Sequence, residues 1–244
     1  MKPHTVLAQH KPMKEEVFEE LHQRVIAGEY PQGEWLRQED IAEQMGVSMT
    51  PVREALDLLV SAGLAERVPY RGVRVLELSH REIVEAYGLR LLLEGTAARA
   101  AADHITPDQL RALSRIVDEL ESQVTLNDMS RARQLSREFH SSIVKASADD
   151  LLIKLYGIVA NSFPDWMLYE VMFRHPELLT ASLVEEETEH RAIVKALAKR
   201  DADEAGQKAM QHILHMGRDL EKLLGIPGEQ LREKERMTMP LLTD

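Results

Sequence analysis

No cysteine occurs among the 244 residues. That excludes disulfides, thiolate zinc sites and cysteine nucleophiles. No apolar run approaches the roughly 18–20 residues needed to cross a bilayer, and the amino-terminal stretch lacks the apolar centre of a secretory signal. A cytoplasmic protein without membrane contact is the expectation. Aromatic residues make up only 5 % of the chain, and it contains no repeat, low-complexity tract or Gly-rich phosphate loop. Positive charge is scarce as well. Thirty Lys/Arg face 41 Asp/Glu, a net charge of −11, which argues against a surface that grips nucleic acid non-specifically. The deficit already holds in the first third, where residues 1–79 carry nine Lys/Arg against thirteen Asp/Glu. Any contact with DNA must therefore come from a small local cluster of arginines.

What is present is ordinary for a chain that buries a core: 44 % hydrophobic and 29 % charged residues, with a length that fits two domains of roughly 100–150 residues. Residues 1–12 read as a mobile tail. Val17, Phe18, Leu21, Val25 and Ile26 mark one face of a first helix ended by Gly28. A short helix over Gln38–Gln44 and a longer one over Met49–Ala62 follow, with Ser48 or Thr50 placed to cap the second and Pro51 tolerated in its first turn. Two strand-like runs, Leu64–Val68 and Val73–Leu76, flank the turn Pro69-Tyr70-Arg71-Gly72. Three helices and a hairpin make residues 13–77 a winged helix-turn-helix, and Glu77-Leu78-Ser79 a linker. Beyond His80 the apolar period is 3.6, with helices expected near 80–103, 107–126, 129–147, 150–170, 180–200 and 202–224. The fold class is mostly α: the winged helix-turn-helix, then an all-α antiparallel helical bundle over 80–225, and a loosely held carboxyl-terminal tail over 226–244.

A helix-turn-helix offers the amino-terminal side chains of its second helix to base edges in the major groove. Here Arg53 lies one turn into that helix, where its guanidinium can fork onto a guanine or clamp a phosphate. Ser48 and Thr50 offer hydroxyls and backbone amides to phosphates. Arg37 opens the preceding helix and faces the backbone, while Arg71 and Gly72 at the wing tip fit a minor groove. The run LRQEDIAEQMGVSMTPVREALDLLVSAGLAERVPYRGVRV (Leu36–Val75) resembles the DNA-binding domain of GntR-type bacterial transcription regulators over about forty residues with matching spacing. That family usually has Arg where this chain has Met49, which removes a common base or phosphate contact and leaves Met49 to touch a thymine methyl.

The second half carries seven of the ten histidines. Three lie on apolar stripes of different helices: His140 with Ile143 and Val144, His190 with Ile193, Val194 and Leu197, and His212 with Ala209 and Met216. Each inward imidazole costs desolvation unless partnered, and converging imidazoles suit Zn²⁺ or Ni²⁺. Three readings remain open: a divalent metal site, direct binding of an organic acid, and a structural cluster. Arg90 and Glu94 form an i,i+4 pair that supports a helix in any case. This half resembles the FadR branch of the same family, whose ligand domain is called FCD, through YGLRLLLEGTAARAAA (Tyr87–Ala102), SREFH (Ser136–His140), EHRAIVKAL (Glu189–Leu197) and AMQHIL (Ala209–Leu214). The resemblance implies a metal held by three histidines, here His140, His190 and His212, and by an Asp whose place Ser136 takes. It also implies that Arg90 faces an effector cavity where it can bind a carboxylate, with Ser136, Asn161, Arg137 and Trp166 as further lining candidates.

The expectation is a homodimeric DNA-binding regulator, not an enzyme. It would read a pseudo-palindromic operator in double-stranded DNA, because one interface with few arginines is too weak alone. A small organic or sugar acid would control its operator affinity. The alternatives are a TetR-like helical-sensor repressor, against which the wing speaks, a histidine-metal hydrolase fused to a DNA-binding module, and a protein-interaction adaptor.

Overall fold

The computed structural model describes residues 12–122, 129–161, 168, 171 and 176–238. In the amino-terminal unit, α1 (Met13–Ile26), α2 (Gln38–Met45) and α3 (Met49–Ser61) precede a hairpin of β1 (Ala65–Val68) and β2 (Gly72–Val75). The apolar positions that fix these helices meet in one core of Leu21, Val25, Ile41, Val52, Leu56, Leu59 and Leu64, all buried. Pro51 sits in the first turn of α3, where its missing N–H has no intrahelical partner to lose. The expected cap is only half realised: Ser48 occupies the N-cap position with extended backbone, yet its side chain makes no capping hydrogen bond. The hairpin is antiparallel, pairing Ala65 with Val75 and Val68 with Gly72. Gly72 has φ +116°, a conformation that a side chain would strain. The segment before α2 adds a short third edge, which the sequence patterning did not reveal. Trp35 bridges Arg74, and Leu36 donates its N–H to the Val73 carbonyl at 2.9 Å.

The second unit begins at Leu78 and contains, among its described residues, α4 (His80–His104), α5 (Pro107–Ser122), α6 (Met129–Ala146), α7 (Asp150–Asn161), α8 (Pro176–Lys199), α9 (Ala202–Leu224) and α10 (Gly228–Thr238). Ser79 and Glu82 close a capping box at the start of α4, the S-x-x-E pattern that satisfies two orphan amides at once. Helix α8 starts at Pro176; the proline is its first residue rather than a break ahead of it, as its fixed φ allows. Helix α4 runs through the centre. Its small residues Ala97, Ala98, Ala101 and Ala102 are fully buried, so neighbouring helices approach closely. At Gly217 of α9 an added Cβ would lie 2.6 Å from Tyr87 Cζ of α4, closer than packed atoms tolerate. Arg200 ties the end of α4 by donating to the carbonyls of Asp103 at 2.8 Å and Ile105 at 3.0 Å. Among the described residues no helix is long and apolar enough to cross a membrane.

One expectation is corrected. Residues 228–238, expected as part of a loose tail, form α10, which packs on α4. Leu231 is buried in the same cluster as Tyr87 and Leu220, and the Tyr87 hydroxyl donates to Glu235 at 2.8 Å. Leu231→Ala is therefore expected to destabilise the helical unit by about 2–4 kcal/mol. The readout is the midpoint of urea unfolding, and an unchanged midpoint would mean that α10 does not hold to the bundle.

Candidate functional site

Helix α3 buries Val52, Ala55, Leu56 and Leu59 against the rest of its unit, a spacing that turns the opposite face outward. Ser48, Met49, Thr50 and Arg53 are all exposed there. Arg53 Nε is 3.5 Å from Gln38 Oε1, a contact at the limit of a hydrogen bond that leaves the guanidinium available to another acceptor. Arg37 is exposed at the N-cap of α2. At the wing, Arg71 lies over the Trp35 ring with its Cζ 5.2 Å from the centroid, and Arg74 lies at 5.9 Å. Such stacking holds a guanidinium in place while its N–H edge stays open to solvent. Arg71 follows the fully exposed Tyr70.

In the second unit three helices each send one imidazole to the same point. His140 comes from α6, His190 from α8 and His212 from α9; all three are buried, and their ligating atoms lie within 4.8 Å of one another. The ring centroids are 4.7–5.2 Å apart. Each of two rings is oriented from behind by a carboxylate. His140 Nδ1 donates to Glu94 at 2.7 Å, and His212 Nδ1 donates to Glu189 at 2.7 Å. Glu189 in turn accepts from His215 Nδ1 at 3.2 Å, and Glu94 accepts from Arg90 Nε at 2.6 Å. This arrangement fixes both Nδ1 atoms as donors and turns both Nε2 atoms inward, where they meet at 3.3 Å. In the neutral rings those are two facing lone pairs, which repel unless a cation lies between them. Two imidazole nitrogens on one tetrahedral zinc, each about 2.0–2.1 Å from it, stand about 3.3–3.4 Å apart. The donor set fits a divalent ion.

His190 completes the case. It is fully buried, its ring tilted 31° to that of Phe139 with centroids 4.1 Å apart, and neither ring nitrogen has a hydrogen-bond partner. Buried polar atoms are seldom left so. Burial first, then the neighbouring His212 and His140, hold His190 well below the usual histidine range, so it presents a neutral ring ready to ligate without first losing a proton. Glu94 behaves oppositely. Burial alone would raise its pKa, but the Arg90 guanidinium and His140 outweigh burial and keep it below the ordinary carboxylate range. It therefore stays ionised as the acceptor that orients His140.

The cluster opens onto a cavity of about 570 Å³ lined from α4, α6, α7, α8 and α9. Arg90, Arg133 and Arg137 bring positive charge to it, Tyr156 and Met216 an apolar wall. Thus His140, His190 and His212 converge, and Arg90 and Ser136 line the adjoining cavity together with Arg137. Asn161 ends α7, but its side chain lies outside the described residues, as does Trp166 altogether. Sequence reasoning missed Glu186, Glu189 and His215. Glu186 and Glu189 precede His190 by four and one residues and His215 follows His212 by three, a carboxylate-rich helix turn beside a candidate ligand histidine that is itself a usable signal.

Comparison with known proteins agrees with both halves. Residues 13–75 match the family model described as bacterial regulatory proteins of the gntR family, and residues 82–215 match the FCD domain. The chain is 30 % identical over 192 residues to a probable D-xylose utilization operon transcriptional repressor of Paenarthrobacter nicotinovorans, covering 78 % of this chain and 80 % of that one. It is 26 % identical over 193 residues to the gluconate operon transcriptional repressor of Bacillus licheniformis, covering 75 % of each. Among solved structures, Escherichia coli McbR/YncC superposes with a TM-score of 0.62 at 23 % identity, covering 87 % of this chain and 99 % of that one, a likeness of fold. With a winged helix-turn-helix ahead of a helical ligand domain, the chain belongs to the GntR family of bacterial transcription regulators and carries an FCD effector-binding domain.

Proposed function

We infer that this regulator binds a small organic or sugar acid in the cavity of its helical unit, and that the acid controls operator affinity. The observation that carries the reading is His190, a fully buried imidazole with both nitrogens unpartnered beside two inward Nε2 atoms. His140, His190 and His212 hold a divalent ion there, Zn²⁺ or Ni²⁺, since imidazoles suit both. When bound, the ion supplies a positive centre that a carboxylate can coordinate. Arg90 and Arg137, on the cavity wall, fork onto the same acid. Two similar proteins are named for a D-xylose utilization operon and a gluconate operon, which agrees with a hydroxylated acid. The unit acts as a sensor rather than a catalyst.

On the DNA side, Arg53 reads a base edge, with Met49 against a thymine methyl. Ser48, Thr50 and Arg37 hold phosphates, and Arg71 and Gly72 enter a minor groove. Two copies bind a pseudo-palindromic operator in the cytoplasm. Leu151, Leu155 and Ile158, spaced four and three apart on α7, leave an exposed apolar stripe of the kind a second copy covers.

A thermal-shift screen of organic and sugar acids, run with and without Zn²⁺ or Ni²⁺, tests the sensor reading. Stabilisation by an acid only when metal is present supports it. An equal shift without metal would favour direct binding by Arg90 and the histidines. For the acid so found, Arg90→Gln is expected to weaken binding about tenfold or more, the worth of one charge-assisted hydrogen bond of ~1.5–3 kcal/mol. Unchanged affinity by calorimetry would remove Arg90 from the site.

A further inference from the structure

The histidine cluster has a carboxylate beside it whose position the reading above does not explain. Glu186 precedes His190 by four residues, so the two share a face of α8. Its Oε1 accepts a hydrogen bond from Ser136 Oγ of α6 at 2.8 Å and stands 3.9 Å from His190 Nε2. That distance is too long for a hydrogen bond. Two groups are thus aimed at each other and stop short: an imidazole buried without a partner, and a carboxylate steered towards it by a hydroxyl on a different helix. A cation bound by both removes the anomaly, because nitrogen and oxygen ligands each about 2.0–2.2 Å from one ion are separated by up to about 4 Å. The other acids at the cluster have partners that hold them back. Glu94 is engaged by Arg90 and His140, and Glu189 by the Nδ1 atoms of His212 and His215.

We propose that Glu186 is the carboxylate ligand of the metal centre formed with His140, His190 and His212, and that Ser136 is the positioning residue that presents it. The proposal rests on the metal reading given above. It has a consequence for the effector. Three neutral imidazoles and one carboxylate leave a divalent ion with one net positive charge, enough to attract a single carboxylate.

The test uses full-length protein stripped of metal and titrated with Zn²⁺ against a chromophoric chelator, with Co²⁺ absorption as a second readout of the ligand set. Glu186→Gln is expected to weaken Zn²⁺ binding at least about 10–100-fold, the range seen when even outer-shell partners are lost, and to alter the Co²⁺ spectrum. Ser136→Ala moves affinity the same way by less. Adding Ser136→Asp to Glu186→Gln recovers most of the loss, because residue 136 then carries its own carboxylate to the same place; a merely structural role for Glu186 predicts a Co²⁺ spectrum unchanged by Glu186→Gln alone. Glu186→Gln with wild-type affinity and an unchanged spectrum overturns the proposal while leaving the three-histidine site standing. A wild-type protein that takes up no metal overturns both.

Discussion

Arg53→Ala is expected to abolish specific recognition of an operator selected from random duplexes by the wild-type protein, while leaving the unfolding curve of the amino-terminal unit unchanged. The side chain is exposed and makes one marginal contact, to Gln38, so its removal opens no cavity and strands no buried partner. On DNA the position has leverage. A bidentate arginine–guanine contact is worth about 1–3 kcal/mol, and the proposed dimer would make it twice. The loss is therefore about 30-fold at the least and beyond 10⁴-fold at the most. Non-specific binding falls far less, because it depends on the sum of phosphate contacts. Footprinting of the selected operator at fixed salt is the readout, and protection at wild-type protein concentrations would remove Arg53 from the base-reading role.

The second large effect is on metal content. Changing His140, His190 and His212 together to Ala is expected to eliminate stoichiometric Zn²⁺ or Ni²⁺ from purified protein and the metal-induced rise in melting temperature. Single changes differ in kind. His190→Ala removes a ring with no hydrogen bond to lose, so the ligand-free fold is affected through packing against Phe139. His140→Ala instead leaves Glu94 buried with only Arg90 for a partner, which costs stability as well as affinity. Elemental analysis of the variants beside their melting curves separates the two consequences. Wild-type protein from metal-replete medium that contains no stoichiometric metal would refute the assignment.

The division into a winged helix-turn-helix and a helical ligand domain was legible because its signals are local. Gly28, Gly63 and the Pro69–Gly72 turn punctuate the first unit, and the 3.6-residue period dominates the second. What escaped was non-local or weakly patterned. Trp35 joins the hairpin through backbone pairing with Arg74, which leaves no periodic mark. Helix α10 is polar nearly throughout, GEQLREKERMT, and it is held by one buried leucine and the Tyr87–Glu235 bond rather than by an apolar stripe. The site divides the same way. His140 and His190 betray themselves by apolar neighbours three and four residues on, and His212 by Ala209 three residues back and Met216 four on. Their partners do not: Glu94 and His140 lie on different helices, and only the folded chain brings them to 2.7 Å. Ser136, read as a hydroxyl where the resembled family carries an acid, is in the structure bonded to Glu186. That bond joins two helices, which no reading along a single helix reveals.

The most direct test of the whole account couples its two ends. With metal-loaded protein at fixed salt, the affinity for the selected operator is measured by fluorescence anisotropy before and after saturation with an acid shown by calorimetry to bind the helical unit. The account predicts a change of about 5–150-fold, the usual span of coupling between two sites, and its disappearance when His140, His190 and His212 are replaced. An operator affinity that stays the same while the acid occupies its cavity would contradict it.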